Sequence, residues 1–576
     1  MIILGINAYH ADASAAIFVN GKLIAAIEEE RFRRIKHWAG FPEMAIQFCL
    51  KEAGIGFEEV DHYSIGRDPK AKFLRKLLYL AKNPASSLSV IKNRWQNSRK
   101  VSSIENELSA ISGLQPSVFK NKIKQIEHHR SHLASAFFAS PFNEAACVSI
   151  DGSGDFTTTM IGLGKGNKIE VLDSVDFPHS IGIFYTAFTQ LLGFPHYGDE
   201  YKVMGMAPYG EPKYIDKLKD VIHLTDDGLF RLNLDYFRKA TDGVISYNED
   251  HIPVVKPLYS SSMIKVFGGP RKKEVPLTQY HKDMAASVQW VTEEVIFHIL
   301  ESLHKKTGLK NVCIAGGVAQ NSVANGKIKK NTSFENIYIP SAGHDAGISM
   351  GAALYVQHQI LNKERMPSIQ SAYTGSHFTN AEIGSFLCDQ KIKFDELEDD
   401  VLFDKITDCL INGGVVGWFT GKAEFGPRAL GGRSIIADPR RPDAKEILNS
   451  KIKRRESFRP FAPSVLREYV NEYFEWTDEV PFMEKVFPIK PSKQKLIPAV
   501  THIDGSGRLQ TVDKKISPRY YALIETFRRK TGVPILLNTS FNENEPIVNK
   551  PQEALNCYLR TNMDMLVMEN ILISRI

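Results

Sequence analysis

Ile2-Ile3-Leu4-Gly5-Ile6-Asn7, the loop Ala8-Tyr9-His10-Ala11-Asp12-Ala13, the run Ser14-Ala15-Ala16-Ile17-Phe18-Val19, then Asn20-Gly21 and Lys22-Leu23-Ile24-Ala25-Ala26-Ile27 open the chain. The three apolar runs predict strands. Asn-Gly between the second and third predicts a two-residue hairpin, because both residues tolerate the positive φ of a tight primed turn. The same order returns at Ala145–Ile150, Asp151-Gly152-Ser153-Gly154-Asp155, Thr157–Leu163, Gly164–Asn167 and Lys168–Val175. Strand, polar loop, strand, turn, strand thus occurs twice, which reads as internal duplication, against the alternative that any two meanders look alike.

The chain has 576 residues, beyond the roughly 250–300 at which one core stops growing, so two or more domains are expected. Between about 361 and 379 the sequence turns polar, with Pro367 and Gly375 as breakers. That places a boundary between a domain over 1–365 and one over 370–576. Net charge is 72 − 66 = +6 with no basic tail, which argues against a nucleic-acid partner. Cys49, Cys147, Cys313, Cys388, Cys409 and Cys557 are scattered without a CxxC pair, as in a reducing compartment. No apolar run approaches the roughly 20 residues of a membrane span, and the N-terminus lacks the basic region of a signal peptide. A cytoplasmic protein is expected.

Four constellations carry chemistry. His10 and Asp12 sit among small residues at a hairpin mouth, where they could hold a phosphate or move a proton; a capping Asp in a polar loop is the plain alternative. His128 and His132, four apart before the helical run Leu133–Phe138, share a helix face at metal-binding distance, while His129 points elsewhere. Asp151 and Asp345, each after an apolar run, could add oxygen ligands; two imidazoles and two carboxylates suit Fe(II), Mn(II) or Zn(II). Glycine turns at Gly152 and Gly154, Gly316-Gly317 and Gly343–Gly347 expose backbone N–H groups, suggesting a nucleotide in a cleft between related halves. In the C-terminal domain, Gly426-Pro427-Arg428-Ala429-Leu430-Gly431-Gly432-Arg433 and the run Lys451–Pro463 hold guanidiniums in rigid loops. With Arg508, Arg519 and Leu536–Asn542 they suit a small phosphorylated or carboxylated ligand.

These residues resemble the NodU/CmcH carbamoyltransferases nearly end to end. The markers are Gly5-Ile6-Asn7, Glu29-Glu30-Arg31-Phe32 with Lys36-His37, His128/His132, Asp151-Gly152-Ser153-Gly154, Tyr201–Gly210, Gly316–Asn321, Gly426–Leu430 and Phe458–Pro463. The resemblance implies an α/β and α+β chain: a duplicated actin-like, Kae1-type N-terminal domain and a YrdC-like C-terminal domain. It implies carbamoyl-adenylate formation from carbamoyl phosphate and ATP with Mg in the second, and transfer to a hydroxyl beside iron in the first. Residue by residue it implies His128, His132, Asp151 and Asp345 as metal ligands. Arg428, Lys453, Arg459, Arg508, Asn538 and Ser540 would contact carbamoyl phosphate, and His10, Asp12 and Lys36 would stand near the transferred group. Gly152, Gly154, Gly316, Gly317 and Asn321 complete the expected nucleotide set. Many members have adjacent His and Asp in the first motif, whereas Ala11 separates them here. The expected partner is a small-molecule or glycan acceptor with a free hydroxyl, with a homodimer as a possible assembly. Its pocket is expected from Lys70–Lys100 and Asp216–Val275. The competing readings are tRNA threonylcarbamoylation and an actin-like nucleotide-binding scaffold.

Overall fold

A computed structural model describes residues 1–82, 104–238 and 246–575. The expected acceptor segments therefore fall partly outside the described residues, at 83–100 and 239–245. The chain divides into unit 1, residues 1–321 with 328–369, and unit 2, residues 370–576 with 322–327.

Unit 1 contains two five-stranded sheets. The first is built from β1 (Ile2–Asn7), β2 (Ser14–Val19), β3 (Lys22–Glu28), β4 (His62–Ile65) and β5 (Ile123–Gln125), in the order β3-β2-β1-β4-β5. β1, β2 and β3 form an antiparallel meander, and β4 and β5 add in parallel. Asn20 at φ 49° and Gly21 at φ 83° make the turn between β2 and β3, as their tolerance of positive φ predicts. The second sheet uses β6 (Glu144–Gly154), β7 (Thr157–Lys165), β8 (Lys168–Asp176), β9 (Asn311–Ala315) and β10 (Asn336–Tyr338). Its order, β10-β9-β6-β7-β8, and its pairing senses repeat those of the first. One local expectation changes: Asp151–Gly154 is not a separate loop. β6 runs on to Gly154, with pairing passing from Ile150–Thr159 to Gly154–Thr157, a bulge that gives Asp151, Gly152 and Ser153 no cross-strand partner in this ladder.

The layers around these sheets explain where the functional side chains fall. Helix α1 (Glu43–Ala53) buries Ala45, Ile46, Cys49 and Leu50 against the first sheet. Helix α2 (Phe73–Lys82) follows β4, and helix α3 (His128–Phe137) follows β5. Helix α4 (Gly347–Leu354), Gly-Ile-Ser-Met-Gly-Ala-Ala-Leu, is buried throughout. It reaches β1 and α3 at backbone distance: a Cβ on Gly5 would lie 1.8 Å from the Ser349 carbonyl oxygen, and one on Gly351 1.9 Å from that of Ser131. These close approaches bring the residues just before α4, including Asp345, to the first turns of α3.

Unit 2 is organised on a nine-stranded mixed sheet. Its centre is Val416–Phe419, Arg433–Ala437, Ile535–Ser540, Ala462–Leu466 and Ser506–Val512, side by side in that order. Trp418, Ile435, Val465, Leu509 and Leu536 belong to its apolar core with Leu523 and Phe527 of helix Pro518–Thr531. Among the described residues, no helix is long and apolar enough to cross a membrane.

Candidate active site

In unit 1 the first turns of α3 are fixed before any ligand is considered. Glu127 caps the helix by accepting from Arg130 N–H at 2.8 Å, and Asp155 accepts the His128 backbone N–H at 3.0 Å. His128 and His132 then project from one face, as i, i+4 spacing requires. His129 points away: it donates from Nε2 to the Thr157 carbonyl at 3.0 Å, and its Nδ1 takes the Ser149 hydroxyl at 2.8 Å. Asp151 meets both outward imidazoles with one oxygen, Oδ2, 3.0 Å from His128 Nε2 and 3.3 Å from His132 Nε2. Its other oxygen accepts from Gly152 N–H at 2.7 Å and Gly317 N–H at 3.2 Å.

Asp345 completes the group. Its Oδ1 lies 3.6 Å from His128 Nε2 and 3.4 Å from His132 Nε2, buried and without a hydrogen bond. An orphaned carboxylate oxygen facing two imidazole nitrogens is costly unless a cation shares them. The four ligand atoms lie within 4.8 Å of one another, so the residues fit a transition ion with two nitrogen and two oxygen donors. Despite burial, the two imidazoles hold Asp151 well below the usual carboxylate range, and His10 and His132 lower Asp345. Burial pulls His128 down, whereas the two carboxylates outweigh burial at His132 and push it up to about 9.

His10 adjoins this group, with Nδ1 2.7 Å from Asp345 Oδ2. Asp12, in left-handed backbone at φ 57°, turns instead to His37 Nδ1 at 2.8 Å. The two residues therefore part company: one meets the metal-ligand group, the other a second histidine. Burial would raise Asp12, but His37 outweighs it and brings it to about 2; in return Asp12 lifts His37 to about 9 against burial. Glu30 accepts the His37 backbone N–H at 2.9 Å, and Tyr197 packs edge-on against the His37 ring at 5.1 Å. Burial, then Asp345, Asp12 and Asp151, push the Tyr197 phenol well above its ordinary value, so this ring borders both clusters. Lys36 is exposed beside His37.

The glycines support this constellation in specific ways. A Cβ on Gly154 would lie 2.1 Å from the His128 ring, and one on Gly316, at φ 96°, 2.2 Å from the Ile150 carbonyl. Gly152 and Gly317 donate to Asp151, as described. Asn321 forms a reciprocal amide pair with Gln289, both bonds 3.0 Å.

Unit 2 gathers the other residues expected to act. Glu424 Oε1 accepts from Leu430 N–H at 2.7 Å and Gly432 N–H at 2.7 Å, which fixes the loop that carries Arg428. Arg508 Nε is sealed from solvent with no hydrogen-bond partner. Burial, then Arg428, Arg455 and Arg459, push this guanidinium well below the usual arginine range. Nearby on the sheet, Asn538 donates to Ala429 O at 3.1 Å and Gln510 Oε1 at 2.9 Å, and its own Oδ1 is buried without a partner. Lys453 is buried, its Nζ 2.7 Å from Asn542 Oδ1 and 3.4 Å from Ser540 Oγ.

Two arginines singled out in the sequence have structural partners. Arg433 donates to the carbonyls of Thr420, Gly421 and Ser376 and stacks 3.7 Å over Phe419. Arg519 pairs with Asp399 and Glu569, both at 2.7 Å. Sequence reasoning assigned no role to Asp155, His37 or Arg455. The first lies in the Asp151–Asp155 motif, and the others adjoin assigned residues in Lys36-His37 and Lys453-Arg454-Arg455, so the signal was present without a geometry to rank it.

Comparison with known proteins agrees with this two-part layout. Residues 2–354 match the family model for the carbamoyltransferase N-terminus and residues 407–575 the model for the carbamoyltransferase C-terminus. The chain is 43% identical to an uncharacterised protein of Synechocystis sp., covering 100% of this chain and 96% of that one. It is 37% identical to nodulation protein NolNO of Sinorhizobium fredii, covering 99% and 80% respectively. With nodulation protein NolO of Bradyrhizobium diazoefficiens it shares 38% identity over 78% of this chain and 79% of that one.

Proposed function

The chain belongs to the carbamoyltransferase family, and we propose that it is an ATP-dependent O-carbamoyltransferase that works in two halves. Unit 2 forms carbamoyl-adenylate from carbamoyl phosphate and MgATP, consuming one water and releasing phosphate and pyrophosphate. Unit 1 moves the carbamoyl group to a hydroxyl of a sugar-containing or natural-product acceptor. Unit 1 is read as actin-like and Kae1-type, a reading its two equally connected sheets support, and unit 2 as YrdC-like.

The observation that carries the proposal is the difference in sign between the two sites. Arg508, its Nε unpartnered among Arg428, Arg455 and Arg459, suits a multiply charged anion held by charge-assisted hydrogen bonds. His128, His132, Asp151 and Asp345 suit a divalent cation. Fe(II), or another divalent transition ion, held by those four residues would supply Lewis-acid polarisation of the carbamoyl carbonyl. The chain's own groups do the rest. In this reading His10, beside Asp345, or Asp12, paired with His37, takes the acceptor proton, and Lys36 is a further contact of the group being moved.

The test is to incubate the protein with ATP, Mg²⁺, carbamoyl phosphate and candidate acceptors. Pyrophosphate release, carbamoyl-adenylate and acceptors heavier by one carbamoyl group are expected by mass spectrometry. Carbamoylation that proceeds without ATP would overturn the adenylate route.

A further inference from the structure

Arg428, Arg455, Arg459 and Arg508 bring only donors to the anion site of unit 2, yet the reaction proposed for that site consumes a water. A water that attacks must give up a proton, and a guanidinium cannot take one. His502, six residues before Arg508 in the chain, can. A tight turn fixes it: His502 N–H donates to the Ser506 carbonyl at 2.7 Å and Gly505 N–H to the His502 carbonyl at 3.0 Å, with Gly505 at φ 78°. The Ser506 hydroxyl donates to Asp504 Oδ1 at 2.6 Å, and His502 Nδ1 lies 3.1 Å from the same hydroxyl oxygen. A hydroxyl has one proton, so Ser506 Oγ accepts from Nδ1–H. The neutral ring then carries its lone pair at Nε2, and Nε2 is buried without a hydrogen bond, as Arg508 Nε is.

The surroundings keep this imidazole neutral. Burial first, then the nearby Arg508 and Lys445, outweigh Asp504 and lower His502 to about 4; the Phe461 carbonyl, two residues past Arg459, also favours the charged ring. A phosphate bound among the arginines offsets those cations and lets the ring take a proton more readily. We propose, resting on the reading of unit 2 given above, that His502 is the general base for the water that cleaves carbamoyl phosphate. The water oxygen bonds to the carbamoyl carbon, and one of its protons passes to Nε2. The C–O bond to the phosphate breaks with its electron pair on the phosphate, and the imidazolium returns the proton to that phosphate. Carbamic acid and hydrogen phosphate result, and the guanidiniums hold the leaving charge. Ser506 and Asp504 keep Nδ1 protonated and so leave Nε2 bare.

Phosphate and pyrophosphate release, followed side by side in the full chain, test this. With carbamoyl phosphate, ATP and Mg²⁺, His502→Gln should lower both by about 10²–10⁴, because no carbamate reaches ATP. Carbamate supplied instead from ammonium bicarbonate should support pyrophosphate release equally in variant and wild type. Ser506→Ala keeps the imidazole but frees its tautomer; it should show the same pattern with a smaller loss, and it carries the test if His502→Gln folds poorly. Phosphate release at the wild-type rate in His502→Gln, or a pyrophosphate loss that carbamate does not repair, overturns the proposal. A wild type that releases phosphate through His502 but never pyrophosphate overturns the adenylate reading and leaves the base assignment standing. A wild type that leaves carbamoyl phosphate intact overturns both.

Discussion

The two sites solve opposite electrostatic problems. In unit 1, imidazoles and carboxylates face one another and largely compensate, leaving one oxygen, Asp345 Oδ1, without a hydrogen bond. In unit 2, burial, then the neighbouring Arg428, Arg455 and Arg459, depress the proton affinity of Arg508. The first arrangement is close to self-sufficient and suits a small cation. The second sets like charges around Arg508 and suits an anion.

The strongest way to break this comparison is to remove a carboxylate from unit 1. Asp151→Ala or Asp345→Ala should strip bound transition metal, read by elemental mass spectrometry, and lower carbamoyl transfer at least about a hundredfold. Arg428→Ala or Arg459→Ala should leave metal content unchanged and lower pyrophosphate release by about 10²–10³. Loss of metal in the arginine variants would show that the sites are not independent.

Stability offers a sharper contrast. Arg508→Met removes a half-buried cation from among cations, so the ligand-free melt should hold or rise. Pyrophosphate should raise the wild-type melting temperature and leave this variant's unmoved. A large loss of stability on Arg508→Met would mean that the guanidinium is structural.

Two glycines separate support from proximity. A Cβ on Gly154 meets the His128 ring at 2.1 Å, whereas one on Gly152 meets nothing within 4 Å. Gly154→Ala should cost about 1–3 kcal/mol through overpacking and weaken metal binding as His128 is displaced. Gly152→Ala should be near neutral. Equal effects would undo this account of the bulge.

The smallest expected effect concerns Asp12 and His37. The imidazole is raised to about 9 and the carboxylate lowered to about 2. Their mutual stabilisation is full between the ordinary values, about 4 for Asp and about 6.5 for His. It fades as pH climbs through 9 or falls through 2. The melting-temperature gap between wild type and Asp12→Asn should therefore be widest near pH 5–6 and narrow above 9. A gap independent of pH would mean that the pair is not ionic.

Much of this was legible in the linear chain because it depends on neighbours in sequence. Asn20-Gly21 specifies its turn through backbone sterics, and the apolar runs around it have the period and length of paired strands. The i, i+4 spacing of His128 and His132 puts both on one helix face whatever the surrounding fold. Gly5 and Gly351 were different: nothing local shows that each meets another element's backbone. For the helix Phe73–Lys82, sequence gives no sign of which face points outward.

By itself, then, the sequence determined the hairpins, the helical histidine pair and the arginine-bearing loops, since short-range geometry and residue chemistry suffice for those. Only the tertiary structure decided that Asp345 joins Asp151 against the two histidines, that Asp12 turns to His37 while His10 meets Asp345, and that Arg455 joins Arg508 whereas Arg433 and Arg519 do not. Each of those outcomes depends on which distant backbones approach and on which charges are buried together, and contacts between residues hundreds of positions apart leave no period in the chain.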